Sequence, residues 1–118
     1  MPPQLRQEFD AELDELKKKI LTMGGTVEAM VADSLSALVT RDSDLAADVQ
    51  KRDLEVDRLE MECDDLSVRI IALRQPAAVD LRQLVAALKI TTDLERMGDL
   101  AVNIAERVSE LNAEPQLK

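Results

Sequence analysis

The stretch LEVDRLEMECDDLSVRIIALRQP, residues 54–76, decides the fold. Read with the residues before it, it sets Leu45, Val49, Val56, Leu59, Cys63, Leu66, Ile70 and Leu73 at alternating steps of four and three. That is the apolar stripe of a helix packed against other helices, and only Arg52 breaks the series. Asp42, ahead of the stripe, is the expected N-cap. Pro76 ends the run, because proline cannot continue a helix and restricts the residue before it. Leu54, Met61 and Val68 form a second, thinner apolar line at intervals of seven, facing away from the first. One stripe is enough for a three-helix core, so the second predicts a further packing partner.

Working outward, the segment from about Leu5 to Thr40 repeats the pattern. Phe9, Leu13, Leu16, Ile20, Met23, Val27 and Met30 keep the same alternating step. Gly24 and Gly25 predict a kink or a close helix approach there, since two mid-helix glycines cost roughly 1 kcal/mol each relative to Ala. On the far side of Pro76 a third helix is expected to run to about Leu111. Its predicted core stripe is Ala87, Ile90, Leu94, Met97, Ala101, Ile104, Val108 and Leu111. The expected architecture is all-α: an antiparallel, up-down-up, spectrin-like three-helix bundle over residues 1–112, about 45–50 Å long. Residues 113–118 read as a tail or linker.

Composition narrows the chemistry. The 118 residues contain no His, no Trp, no Tyr, one Phe and one Cys. Without His there is no imidazole base and no His-based zinc or nucleophile system. One Cys excludes an internal disulfide, and Cys63 reads as a small core residue. The net charge of −9 and the scarcity of aromatics argue against nucleic acid. No apolar run reaches the length of a membrane span, and no signal-peptide pattern opens the chain. The expectation is a cytoplasmic, non-enzymatic protein.

Asp53 to Asp65 is the densest acidic stretch, with Asp53, Asp57, Glu60 and Asp64 on one flank of the second helix. The third helix carries Glu95 and Asp99. If the two helices fold back at Pro76, Asp57 lies 19 residues before the tip and Glu95 19 after it; Asp53 and Asp99 are each 23 away. Equal rise per residue brings all four carboxylates to one height. Two carboxylates from each helix make an all-oxygen cage suited to hard cations such as Mg²⁺, Ca²⁺, Mn²⁺ or iron. Spacing alone is weak evidence, because Glu8/Glu12, Asp10/Asp14, Asp44/Asp48 and Glu106/Glu110 share it without any claim to function. Lys17-Lys18-Lys19 reads as a solvated face.

Together, Asp53-Leu54-Glu55-Val56-Asp57-Arg58-Leu59-Glu60, Leu73-Arg74-Gln75-Pro76, Asp80-Leu81-Arg82, Leu94-Glu95-Arg96-Met97-Gly98-Asp99 and Asn103-Ile104-Ala105-Glu106 resemble the PhoU domain family over nearly the whole chain. The resemblance implies a three-helix bundle, usually present in two copies. It also implies metal ligation by Asp53 and Asp57 in one motif and Glu95 and Asp99 in the other, with iron, zinc, manganese or magnesium. It implies a cytoplasmic negative regulator of phosphate uptake and signalling, peripheral at the inner membrane, contacting the phosphate-transporter ATPase and the phosphate-sensing histidine kinase. Many relatives have His after the second motif; here Leu100 stands there. One copy is present, read as a single-domain member or half of a longer protein, and a homodimer is expected to cover Leu54, Met61 and Val68. The rival readings are a structural helical dimerisation module without metal, and a di-metal oxidase, whose Glu-x-x-His motifs the chain lacks.

Overall fold

The computed structural model describes residues 1–114 and contains three helices in the order α1 (Pro3–Thr40), α2 (Ser43–Arg74) and α3 (Ala78–Ala113). Each packs against both of the others, giving the expected all-α antiparallel bundle. Its extents are 73 × 17 × 17 Å. It is more drawn out than the expected 45–50 Å, and α1 alone, at 38 residues, exceeds that figure with about 57 Å at the standard rise. The tail expected at residues 113–118 lies largely outside the described residues, and α3 continues through Ala113.

The helix ends follow local chemistry. Pro3 occupies the first turn of α1, where its missing N–H is not needed. The Asp42 carboxylate accepts the Leu45 N–H at 3.0 Å and caps α2 as expected. α1 and α2 both finish on a left-handed residue, Arg41 (φ 59°) and Gln75 (φ 42°). Their N–H groups close the last turns onto Ala37 and Ile71 carbonyls. The α2–α3 link is only Gln75, Pro76 and Ala77, centred on the proline.

The core stripes of α1 and α2 are as the periodicity predicts. Phe9, Leu13, Leu16, Met23, Val27 and Met30 are buried from α1, and Val49, Val56, Leu59, Cys63, Leu66 and Ile70 from α2. Leu73, at the end of the α2 series, is exposed. α1 runs through Gly24 and Gly25 without a break. A Cβ at Gly24 would make ordinary van der Waals contact with the Leu94 side chain at 3.9 Å, and one at Gly25 would face open space, so neither glycine marks the expected kink or close approach.

The stripe of α3 differs from expectation. Its buried line is Leu84, Ala87, Thr91, Gly98, Ala101, Ala105 and Val108. Ile90, Met97 and Leu111 are exposed instead. The bulky side chains of α1, including Met23, Val27 and Met30, already fill the axis. The third helix therefore presents small residues inward and its larger aliphatics on the flank.

An ion-pair clamp holds one end of the rod and neutral hydrogen bonds the other. At one end the Arg6 guanidinium donates to both carboxylate oxygens of Asp80, at 2.6 and 3.0 Å, and lies 5.3 Å from the Phe9 ring centroid. Arg74 donates to Glu12 at 2.7 Å and to Glu8 at 2.8 Å. At the other end Asn112 donates to the Arg41 carbonyl at 2.9 Å and to Ser43 Oγ at 2.6 Å. Arg52, the break in the α2 stripe, reaches Asp33 of α1 at 2.6 Å and also pairs with Asp48. Lys19 leaves the solvated face and bonds Glu62 of α2 at 2.9 Å.

Candidate metal centre

The acidic residues singled out in the sequence gather on the flank where α2 meets α3. The short link makes the register arithmetic hold, since α2 stops two residues before Pro76 and α3 starts two after it. Asp57 and Asp99 are exposed, while Asp53 and Glu95 are half-buried. Burial raises the Asp53 pKa above the usual carboxylate value, and the Asp57 and Asp99 charges raise it further. Glu95 is raised in the same direction, by burial first, then Asp99, Asp57 and Asp53. Asp53 and Glu95 therefore feel carboxylate charge from across the two helices.

A fifth carboxylate belongs with them. Glu60 is raised by burial and by Glu95, Asp64, Asp57 and Asp99. The sequence reading put Glu60 on this flank of α2 but not among the ligands. The signal was available, because Asp53, Asp57, Glu60 and Asp64 share one four-three line. Arg96, next to Glu95 in sequence, is exposed.

Gly98 of α3 lies beside Asp53 on the inner side of the ledge. A Cβ there would lie 3.7 Å from Val56 Cγ1 and 3.8 Å from both Asp53 Oδ1 and Val27 Cγ2. Asp53 Oδ1 is buried and has no hydrogen-bond partner among the described residues. A buried carboxylate oxygen without a donor is costly, and native structures rarely leave one so. The donor set is all oxygen, which suits hard cations. The carboxylates line an open ledge rather than a closed cage. Among the described residues no three Asp, Glu or Cys side chains are gathered as a ready-made metal site.

Residues 20–108 match the PhoU domain. The chain belongs to the PhoU domain family. It is 45% identical over 107 residues to the phosphate-specific transport system accessory protein PhoU homolog of Pseudomonas putida, covering 91% of this chain and 42% of that protein. The homolog from Caulobacter vibrioides strain NA1000 / CB15N is 48% identical over 99 residues, 84% of this chain and 43% of that protein. The PhoU accessory protein of Escherichia coli K12 is 42% identical over 103 residues, 87% of this chain and 43% of that protein. The PhoU domain here thus spans less than half the length of these relatives.

The other motifs that carried the resemblance have structural work in the bundle. Arg74 and Asp80 are the α2 and α3 halves of the end clamp onto α1. Gln75 is the left-handed cap between them. No helix among the described residues is long and apolar enough to cross a membrane.

Proposed function

We propose that this chain is a non-enzymatic regulatory adaptor of phosphate homeostasis whose acidic ledge takes up a hard metal ion. The observation that carries the metal reading is the buried, unpartnered Asp53 Oδ1 inside a group of mutually repelling carboxylates. Asp53, Asp57, Glu95 and Asp99 would hold the ion, with Glu60 beside them. A bound cation supplies the positive charge that offsets their repulsion and fixes the α2–α3 flank as a docking face. Magnesium, manganese and iron suit the oxygen donors; zinc is the fourth metal implied by the family.

The regulatory part follows from the relatives, which are named as accessory proteins of a phosphate-specific transport system. In this reading the chain works in the cytoplasm. It restrains phosphate uptake and signalling by contacting the transporter ATPase and the phosphate-sensing histidine kinase at the inner membrane face. Self-association covers Leu54, Met61 and Val68.

The test is Asp57→Ala combined with Glu95→Ala. Elemental analysis and thermal denaturation with Mg²⁺, Mn²⁺ or iron are expected to show bound metal and a raised Tm in the parent chain, with both lost in the variant while helicity is kept. Unchanged metal stoichiometry would sink the site assignment. The rival reading, a structural module without metal, is favoured by the open form of the ledge. It expects no thermal shift with any of these ions and no phosphate-linked phenotype on deletion.

A further inference from the structure

The apolar core of the bundle falls into two halves. Leu16 and Ile20 of α1 pack in one half, with Cys63 of α2 and Ala87 of α3. Met23 begins the other, with Leu59 of α2 and Leu94 of α3. At the boundary the buried position of α3 is polar, Thr91, only 2% exposed. The clamp of Arg6 and Phe9 belongs to the first half, and the ledge beside Val56 and Gly98 to the second.

Poor helix formers gather at this boundary. Gly24 and Gly25 stand between Thr22 and Thr26 in α1, and Thr91 and Thr92 follow Ile90 in α3. Of the five threonines in the chain, only Thr40 lies elsewhere. The two segments meet: Ile20, Leu21 and Ile90 line one hollow, and Gly24 stands against Leu94. Neither space nor backbone conformation calls for the glycine pair. A Cβ would make ordinary contact at Gly24 and none at Gly25, and no glycine has a positive φ. Each glycine nevertheless disfavours the helix about fivefold relative to Ala. The threonines add to this by bonding carbonyls of their own helix, which loosens and bends it. Thr22 donates to the Lys18 carbonyl and Thr26 to the Thr22 carbonyl, both at 3.1 Å. Thr91 and Thr92 donate to one and the same carbonyl, that of Leu88, at 2.7 and 3.0 Å.

Polar ties do not span the boundary on the α3 side. Among the described residues, α3 bonds the rest of the bundle by side chain only at Asp80, Ser109 and Asn112. α2 has no weak stretch here: its residues 56–66 include neither Gly nor Thr, and Glu62 is tied to Lys19 of α1. We propose that this level is a joint built into the rod. Residues 22–26 of α1 and 88–92 of α3 open together, locally and reversibly, while α2 runs through as a spine, so the clamp half and the ledge half swing relative to each other. α1 is unbroken in the closed form, and the joint is a place of low local stability, not a fixed kink. Asp53, Asp57, Glu95 and Asp99 all lie on one side of it and move as one body, so opening does not depend on metal.

Hydrogen exchange on the 118-residue chain, read amide by amide by NMR, tests the joint. Amides 22–29 and 88–95 are expected to share one rate, on the order of tenfold faster than the turns at 13–17, 30–34 and 101–105. Both segments lie inside helices, where protection is ordinarily greatest. Gly24→Ala combined with Gly25→Ala is accommodated without a clash and is expected to slow amides 22–29 about thirtyfold, and amides 88–95 with them. Thr92→Ala, at an exposed position, is expected to slow the same two segments from the α3 side. Parent-chain exchange no faster in these segments than in the turns on either side overturns the joint. So does a double-alanine variant in which 22–29 slow while 88–95 keep their rate, because the two helices then open separately.

Discussion

The two charged regions of α2 and α3 treat the same residue types in opposite ways. At the clamp end, each carboxylate meets a guanidinium: Asp80 meets Arg6, and Glu8 and Glu12 meet Arg74. The Arg6 hydrogen bond holds the Asp80 carboxyl below its ordinary pKa. On the ledge, about five helical turns along, Asp53, Glu60 and Glu95 are all pushed upward, by burial first and then by neighbouring carboxylates, Asp57 and Asp99 among them. The clamp stabilises the folded chain. The ledge opposes it. Carboxylates that cost the fold stability are the ones the metal proposal above draws on.

The sharpest way to break this contrast is at the clamp. Phe9→Ala empties the fully buried site beneath Arg6 and is expected to cost about 3–5 kcal/mol, read by urea denaturation. Asp80→Ala leaves Arg6 without its bidentate partner and is expected to lower Tm by less than Phe9→Ala does, read by thermal denaturation. Loss of Tm on replacing a ledge acid instead would erase the distinction.

pH separates the two regions without mutation. Asp53, Glu60 and Glu95 have folded pKa values above their unfolded ones, so their cost is present at neutral pH and is relieved as pH falls through the raised values. Asp80, Glu55 and Glu62 are shifted down. Their contribution is full above the unfolded carboxylate pKa and is lost as pH falls through the lowered values. Metal-free chain is expected to have its highest Tm in mild acid, falling towards both neutral and strongly acid pH. The smallest effect sharpens the picture most. Asp57→Asn in metal-free chain removes one like-charge neighbour and should stabilise by about 0.2–0.5 kcal/mol, while weakening any Tm gain from Mn²⁺.

How far the sequence spoke depends on the helix. In α2 the fuller of two apolar lines is the buried one, so its core short of Leu73, its cap at Asp42 and its stop at Pro76 were legible. In α3 two lines compete. Hydrophobicity favours Ile90, Met97 and Leu111, but the space left beside α1 favours Thr91, Gly98 and Ala105. Volume matching between helices is not a property of one helix's periodicity. The level of Asp53, Asp57, Glu95 and Asp99 was legible because the turn is short and centred on Pro76. Their open arrangement was not, because it depends on side-chain rotamers, and neither was the clamp, whose partners are more than 60 residues apart.

Arg52 has one more effect. A bundle built on a seven-residue repeat is nearly degenerate: slide α2 past α1 by two turns and aliphatic again meets aliphatic. A guanidinium set into that row, answered by Asp33 across the gap, makes one alignment unlike all others. Removing it would take away one of the marks that hold α2 in step with α1, leaving that task to Lys19 on Glu62 and to Arg74 on Glu8 and Glu12, while the carboxylate shelf, levelled by the short α2–α3 link, would keep its height.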